Sequence, residues 1–169
     1  TSKDNVLLGD CVEVCTMIAE SEPAVIAPYS NRIPPWLENK NPRVRWEAMH
    51  AIALITPDVP EKIIGHWKLL EDLFTNDKSI IVRDYVVVCA GNLAACGKAY
   101  AEEVYPLLVD ALSAHQTHHA NLALEGLTLG LSHLQTKKDE ITDLADLFIQ
   151  HPKPSIKKAA LQLKKRLSS

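Results

Sequence analysis

Three histidines, His115, His118 and His119, fall within five residues of this 169-residue chain. On a helix His115 and His119 would share a face, and two imidazoles with a third donor can hold zinc or nickel. No Glu joins them in the HExxH arrangement of metalloproteases. A polar turn that contains imidazoles is the simpler reading, since the sequence names no second group to fix the rings. A metal-dependent enzyme with a His-rich site near residues 115–119 is therefore carried as an alternative, and no metal or other cofactor is expected. The four cysteines, Cys11, Cys15, Cys89 and Cys96, form no CxxC pair. Each falls on a helical apolar pattern, where a free thiol behaves as a small hydrophobe. No P-loop, GxGxxG or nucleophile elbow occurs.

Other residues suit recognition better than reaction. Arg45, Trp46 and Glu47 form one run, and Arg83, Asp84 and Tyr85 another. Trp36, Trp46 and Trp67 are the aromatics with the size to anchor a partner, although Trp67 lies on an apolar stripe and reads as core. The helix from Ile156 to Leu167 is rich in lysine and invites a nucleic-acid or membrane reading. The competing reading is an end cap, because the last helix of a stack has no neighbour to cover it and turns polar there. Lys164, Lys165 and Arg166 in its last turn also suit the helix dipole.

Charge weighs against a general nucleic-acid binder, which needs surplus Lys and Arg to displace counterions. The net charge is −3; residues 137–169 carry 8 Lys/Arg against 4 Asp/Glu, and residues 1–136 carry 10 against 17. Hydrophobic residues make up 47% of the chain and charged residues 23%, an ordinary globular balance. Few aromatics, few glycines and no NG or DG turn favour helices over strands. No apolar run reaches the length of a membrane span.

The elements that must position these residues recur. Asn41-Pro42-Arg43-Val44-Arg45-Trp46-Glu47-Ala48 aligns with segments anchored at Val82, Ala120 and Ile156, at spacings of 38, 38 and 36 residues. That period suits a helix pair with two turns. Each anchor opens an apolar stripe at helical spacing: Val44, Ala48, Ala51, Ile55; Val82, Val86, Cys89, Leu93; Ala120, Leu124, Leu127, Leu131; Ile156, Ala160, Leu163, Leu167. Second helices follow, with stripes at Ile63, Trp67, Leu70, Phe74, at Val104, Leu108, Ala111, Leu112, and at Ile141, Leu144, Ala145, Phe148. Residues 4–20 predict an orphan amphipathic helix with Leu7, Cys11, Val14, Cys15 and Ile18 on its apolar stripe. Pro23, Pro28, Pro34 and Pro35 predict a broken helix after it. Gly97 is expected to end a helix in a left-handed conformation. Thr136-Lys137-Lys138-Asp139 is expected to start one as a capping box.

Val-Arg followed by small apolar residues at helical spacing, as in Asn41 to Ala48 and Ile81-Val82-Arg83, resembles the HEAT-repeat pattern, and Pro106 matches a proline common in HEAT outer helices. The resemblance implies an all-α fold, a right-handed α-solenoid of about four helix pairs after the orphan helix. It also implies that the helices opening at Val44, Val82, Ala120 and Ile156 line the concave face. The Asp expected before Val-Arg is replaced by Asn41, Ser79, Thr117 and Lys153, which puts the usual Asp–Arg ladder between repeats in question. Deoxyhypusine hydroxylases resemble this fold class and hold iron with His-Glu dipeptides; this chain has none. HEAT-like alkyl-purine DNA glycosylases need a cationic groove, an aromatic platform and a carboxylate. Arg45, Trp46, Arg83 and Tyr85 supply some of these, but Glu47 and Asp84 stand between them.

Residues one position after each anchor, Arg45, Arg83, Asn121 and Lys157, recur at the repeat spacing. With Trp46, Glu47 and Asp84 they would form a mixed-charge ridge suited to a protein or peptide partner. The competing reading has Arg45 and Arg83 bridging neighbouring repeats. Residues 1–169 are expected to form a single domain, a fragment or processed product since it opens on Thr1. The expected role is a non-catalytic scaffold or adaptor in the cytoplasm or nucleus. The third reading is a nucleic-acid binder using the basic C-terminal helix.

Overall fold

Each anchor lies in the first turn of a helix in the computed structural model, which describes residues 5–168. The longer helices are α1 (Asn5–Ser21), α2 (Pro42–Ile55), α3 (Trp67–Asn76), α4 (Ile80–Cys96), α5 (Lys98–Asp110), α6 (Ala120–Gly130), α7 (Lys138–Phe148) and α8 (Pro154–Leu167). No strand occurs among the described residues. The chain divides into two compact units, Thr1–Cys89 and Ala90–Ser169, with the boundary inside α4.

In the first unit α2 starts where its sequence dictates. The Asn41 side chain accepts a hydrogen bond from the Arg43 N–H at 3.0 Å, and Pro42 takes the first helical position, where no N–H is needed. Val44, Ala48, Ala51 and Ile55 are all buried, as are Val82, Val86 and Cys89 on the first half of α4. Ile63, Trp67, Leu70 and Phe74 complete this core. The proline-rich stretch is broken as anticipated: one turn at Pro23–Ile26 is followed by 3₁₀ segments at Ala27–Arg32 and Pro34–Glu38. Each proline removes an N–H from the α-ladder, and the shorter 3₁₀ turns tolerate this.

The orphan helix α1 departs from its expected face. Val12, Thr16 and Ala19 are buried against α2, while Leu7, Cys11, Val14 and Ile18 are exposed. Thr16 can turn inward because its hydroxyl is satisfied, donating toward the carbonyl oxygens of Val12 (3.2 Å) and Glu47 (3.0 Å).

In the second unit Leu93, Ala120, Leu124 and Leu127 are buried, and so are Ile156, Ala160, Leu163 and Leu167 on α8. The α6 stripe ends differently from expectation. The helix stops at Gly130, Leu131 is half-buried in the following turn, and Leu134 fills the core instead. Leu144 and Phe148 are likewise only half-buried, because α7 has Ile141 and Ala145 at the centre of its inward face. Gly97 ends α4, but at φ 156° and ψ 164°, a region essentially reserved for glycine rather than the left-handed helical one. The Thr136 capping box is absent: a 3₁₀ turn at Gln135–Lys137 moves the helix start to Lys138, and no side chain caps it. Pro106 sits inside α5 on its exposed side.

Glycines allow a close helix contact in this unit. A Cβ on Gly91 of α4 would lie 2.8 Å from the Cα of Gly126 on α6. One on Gly130 would lie 2.7 Å from the Ala94 Cβ. Backbones approach this closely only where side chains are missing. Gly91→Ala is therefore expected to destabilise by about 1–3 kcal/mol through overpacking, although the same change in an isolated helix gains up to about 1 kcal/mol. Gly65→Ala, whose Cβ meets nothing within 4 Å, serves as control. Denaturant midpoints check the pair: Gly91→Ala should fall and Gly65→Ala should hold or rise. An unchanged Gly91→Ala midpoint would refute the close approach.

Candidate protein-binding surface

Along α2, Arg43, Glu47 and His50 are half-buried at helical spacing, and each meets a polar or aromatic neighbour. The Arg43 guanidinium pairs with Asp10 (2.9 Å) and with Glu13 on α1. The His50 ring stacks on Tyr85 of α4 with centroids 4.1 Å apart and planes 11° from parallel. Glu20 of α1 lies 3.9 Å from the His50 Nε2. Trp46 donates its indole N–H to Glu47 at 3.0 Å. Burial pushes the His50 imidazole below its ordinary value, against the pull of Glu20 and Glu47. Burial also raises the Tyr85 phenol, aided by the carboxylates of Glu47, Glu20 and Asp84. Both shifts favour the uncharged rings, so the stack sets two aromatic faces among carboxylates.

The predicted row separates by unit. Arg45 and Arg83 lie in the first, Asn121 and Lys157 in the second. Arg45 is engaged within the fold: its Nε and Nη2 donate to the two carboxylate oxygens of Asp77, at 2.7 and 3.0 Å. Its Nη1 donates to the backbone oxygens of Asn39 and Lys40. Asp77 in turn accepts from the Ser79 N–H at 2.7 Å, just before α4. An Asp–Arg link between repeats therefore exists, with its aspartate at position 77 rather than 79. Arg83 is half-buried and its charge acts on the same aspartate. Asp84 and Asn121 are half-buried and Lys157 is exposed.

In the second unit Thr128 of α6 and Gln162, Lys165 and Arg166 of α8 line a shallow groove of about 500 Å³. Lys164 is drawn aside to Asp146 of α7, 2.8 Å away. His115 and His119 meet edge to face with ring centroids 5.4 Å apart, and His118 lies 6.4 Å from His119. His119 is fully buried. Its neighbours 115–117 run through positive φ, at 50°, 59° and 63°, so the helical register that would align His115 with His119 is broken. No group of three or more His, Cys, Asp or Glu placed to hold a metal occurs among the described residues. The four cysteines are free thiols.

The sequence analysis named Tyr85 but not its pairing with His50, and it did not single out His50 or Glu20. The spacing of Arg43, Glu47 and His50 along one half-buried strip of α2 was the available signal.

No family model matches the chain, and no curated protein does. Solved structures do. An engineered protein of the Northeast Structural Genomics Consortium is 16% identical with a TM-score of 0.78, covering 100% of this chain and 46% of its own. The chain thus spans less than half the length of that structure. A second engineered protein from the same source is 16% identical with a TM-score of 0.78, covering 99% of this chain and 76% of its own. A designed armadillo repeat protein is 15% identical with a TM-score of 0.62, covering 99% and 96%. At these identities the likeness carries the fold alone, an all-α helical-repeat solenoid.

Proposed function

We propose that the chain is a non-catalytic protein-binding scaffold of HEAT type, and that its principal contact surface is the α1–α2–α4 face of the first unit. The observation that carries this reading is the His50–Tyr85 stack set among Glu20, Glu47, Asp84 and Trp46. Stacked, half-buried rings give a partner rigid apolar area, and ring carboxylates give it register. Of the residues first singled out, Trp46, Glu47 and Asp84 belong to this surface, whereas Arg45 and Arg83 serve the turn before α4. Carboxylates outnumber cations on the proposed face, and residues 1–136 carry 17 acidic against 10 basic groups. The partner segment is accordingly a peptide bearing Lys or Arg. Free thiols fit a reducing cytoplasmic or nuclear setting. Among the described residues no helix is long and apolar enough to cross a membrane.

A displayed peptide library panned on the chain tests the reading. Enriched peptides should carry basic residues. They should bind the double variant Glu47→Lys, Asp84→Lys at least about tenfold more weakly, a loss of roughly 1.4 kcal/mol, while its melting temperature stays put. Equal affinity for the variant would remove this face from the site. No enrichment above an unrelated helical protein would remove the binding reading.

A further inference from the structure

The His50–Tyr85 stack offers more than apolar area. Its surroundings come from three helices of the first unit: Glu20 from α1, Trp46 and Glu47 from α2, and Asp84 from α4. The two rings lie 4.1 Å apart and 11° from parallel. Both are half-buried, so part of the pair stays open to a partner. The charges that act on the rings are carboxylates: Glu20 and Glu47 on both, and Asp84 on Tyr85. Glu20 is exposed and stands 3.9 Å from the His50 Nε2. Glu47 is held in place by the Trp46 indole N–H at 3.0 Å. The arginines of α2 are committed to other carboxylates, Arg43 to Asp10 and Glu13, and Arg45 to Asp77. A negative field therefore lies over a flat aromatic platform. Every group named in it falls between residues 20 and 85, and it runs across three neighbouring helices.

We infer that this strip is an arginine site: the guanidinium of a partner's arginine lies against the open side of the His50–Tyr85 stack and donates to the carboxylates around it, so that arginine is taken in preference to lysine. The inference rests on this face being the contact surface and goes further by naming the side chain it selects. Charge alone would admit either cation. The platform decides between them. A guanidinium is planar and weakly hydrated, and its donors form a fixed fork. It can stack on a ring with its plane and pair with carboxylates at its edge in the same pose. An ammonium is a compact, strongly hydrated charge that has no plane to lay on the rings and gives up more water to approach them.

Fluorescence anisotropy of labelled hexa-arginine and hexa-lysine peptides with the purified chain reads the selection, because the two carry equal charge at one ionic strength. Hexa-arginine should bind at least about fivefold more tightly. Tyr85→Leu should bring the two peptides to the same affinity, and Tyr85→Phe, which keeps the ring, should retain the preference. Circular dichroism checks that the variants stay folded. Should Tyr85→Leu unfold, the ring-proton resonances of the parent still decide: those of His50 and Tyr85 should shift on adding acetyl-arginine amide and far less on adding acetyl-lysine amide. Ring resonances that ignore the arginine amide overturn the inference. So does a preference that survives in folded Tyr85→Leu, or one that is lost in Tyr85→Phe. Equal binding of the two peptides, weakened in Glu47→Lys, Asp84→Lys, leaves the contact surface standing and overturns arginine selection. Binding of neither peptide above an uncharged one overturns both readings together.

Discussion

Leu127→Ala is expected to lower the unfolding free energy by about 2–5 kcal/mol, the range for emptying a buried leucine site. Leu127 is fully buried on α6, which packs against both α5 and α8. The size of the loss depends on how far the surroundings can collapse into the void. Here they have little freedom. Gly126, the adjoining residue, already brings α6 so close to α4 that one Cβ on Gly91 would meet its Cα at 2.8 Å. A helix held at contact on one side cannot shift toward that side, so the upper half of the range applies. Urea denaturation reads the change as a lower midpoint at unchanged slope. A loss below roughly half a kcal/mol, the scale of an ordinary surface substitution, would show that the side chain does not lie between the helices.

Asp77→Ala should cost about 3 kcal/mol, because it leaves a largely buried guanidinium without its counter-charge. The Asp77 side chain is 4% exposed and that of Arg45 16%. The Arg45–Asp77 contact uses both carboxylate oxygens, which fixes geometry as well as charge. Removing the carboxylate also releases the Ser79 N–H at the start of α4. Burial pushes the Asp77 carboxyl upward, but the Arg45 hydrogen bond, the Ser79 N–H and the nearby Arg83 charge outweigh it and hold it below the usual range. The pH dependence follows in sign. A carboxylate held lower in the folded than in the unfolded chain stabilises fully above its unfolded value, about 3.9 for aspartate. That stability is lost as pH falls through the folded value. Thermal melts of the parent and of Asp77→Asn at neutral pH and near pH 3 provide the check. The gap between them should narrow in acid. A gap of the same size at both would mean the pair does not hold the turn.

How much of this was legible in the sequence differs by level. The stripes of α2, α4, α6 and α8 were readable because alternate steps of three and four residues leave one way to bury them. The face of α1 was not, because it carries apolar residues on two sides. Hydrophobicity cannot choose between Leu7–Val14–Ile18 and Val12–Ala19; the choice turns on Thr16, whose hydroxyl finds the Glu47 carbonyl. Arg45 stood in the sequence as either a contact or a strut. Its carboxylate partner Asp77 lies 32 residues away, at a spacing no local motif reveals. The His50–Tyr85 stack joins two helices and belongs to no apolar pattern. Gly91 and Gly126 are each unremarkable alone; only their meeting gives them a role.

The turn at His115, Gln116 and Thr117 inverts the usual ranking of amino acids. Three consecutive residues with side chains hold φ between 50° and 63° there, in a region that each occupies at a cost of about 1 kcal/mol or more. Thr117, β-branched, is the least suited of the three. Glycine, which weakens a helix almost anywhere else, is the residue this backbone prefers. At Gln116 and Thr117 a change to glycine would relieve backbone strain, whereas at Gly91 any added side chain meets Gly126.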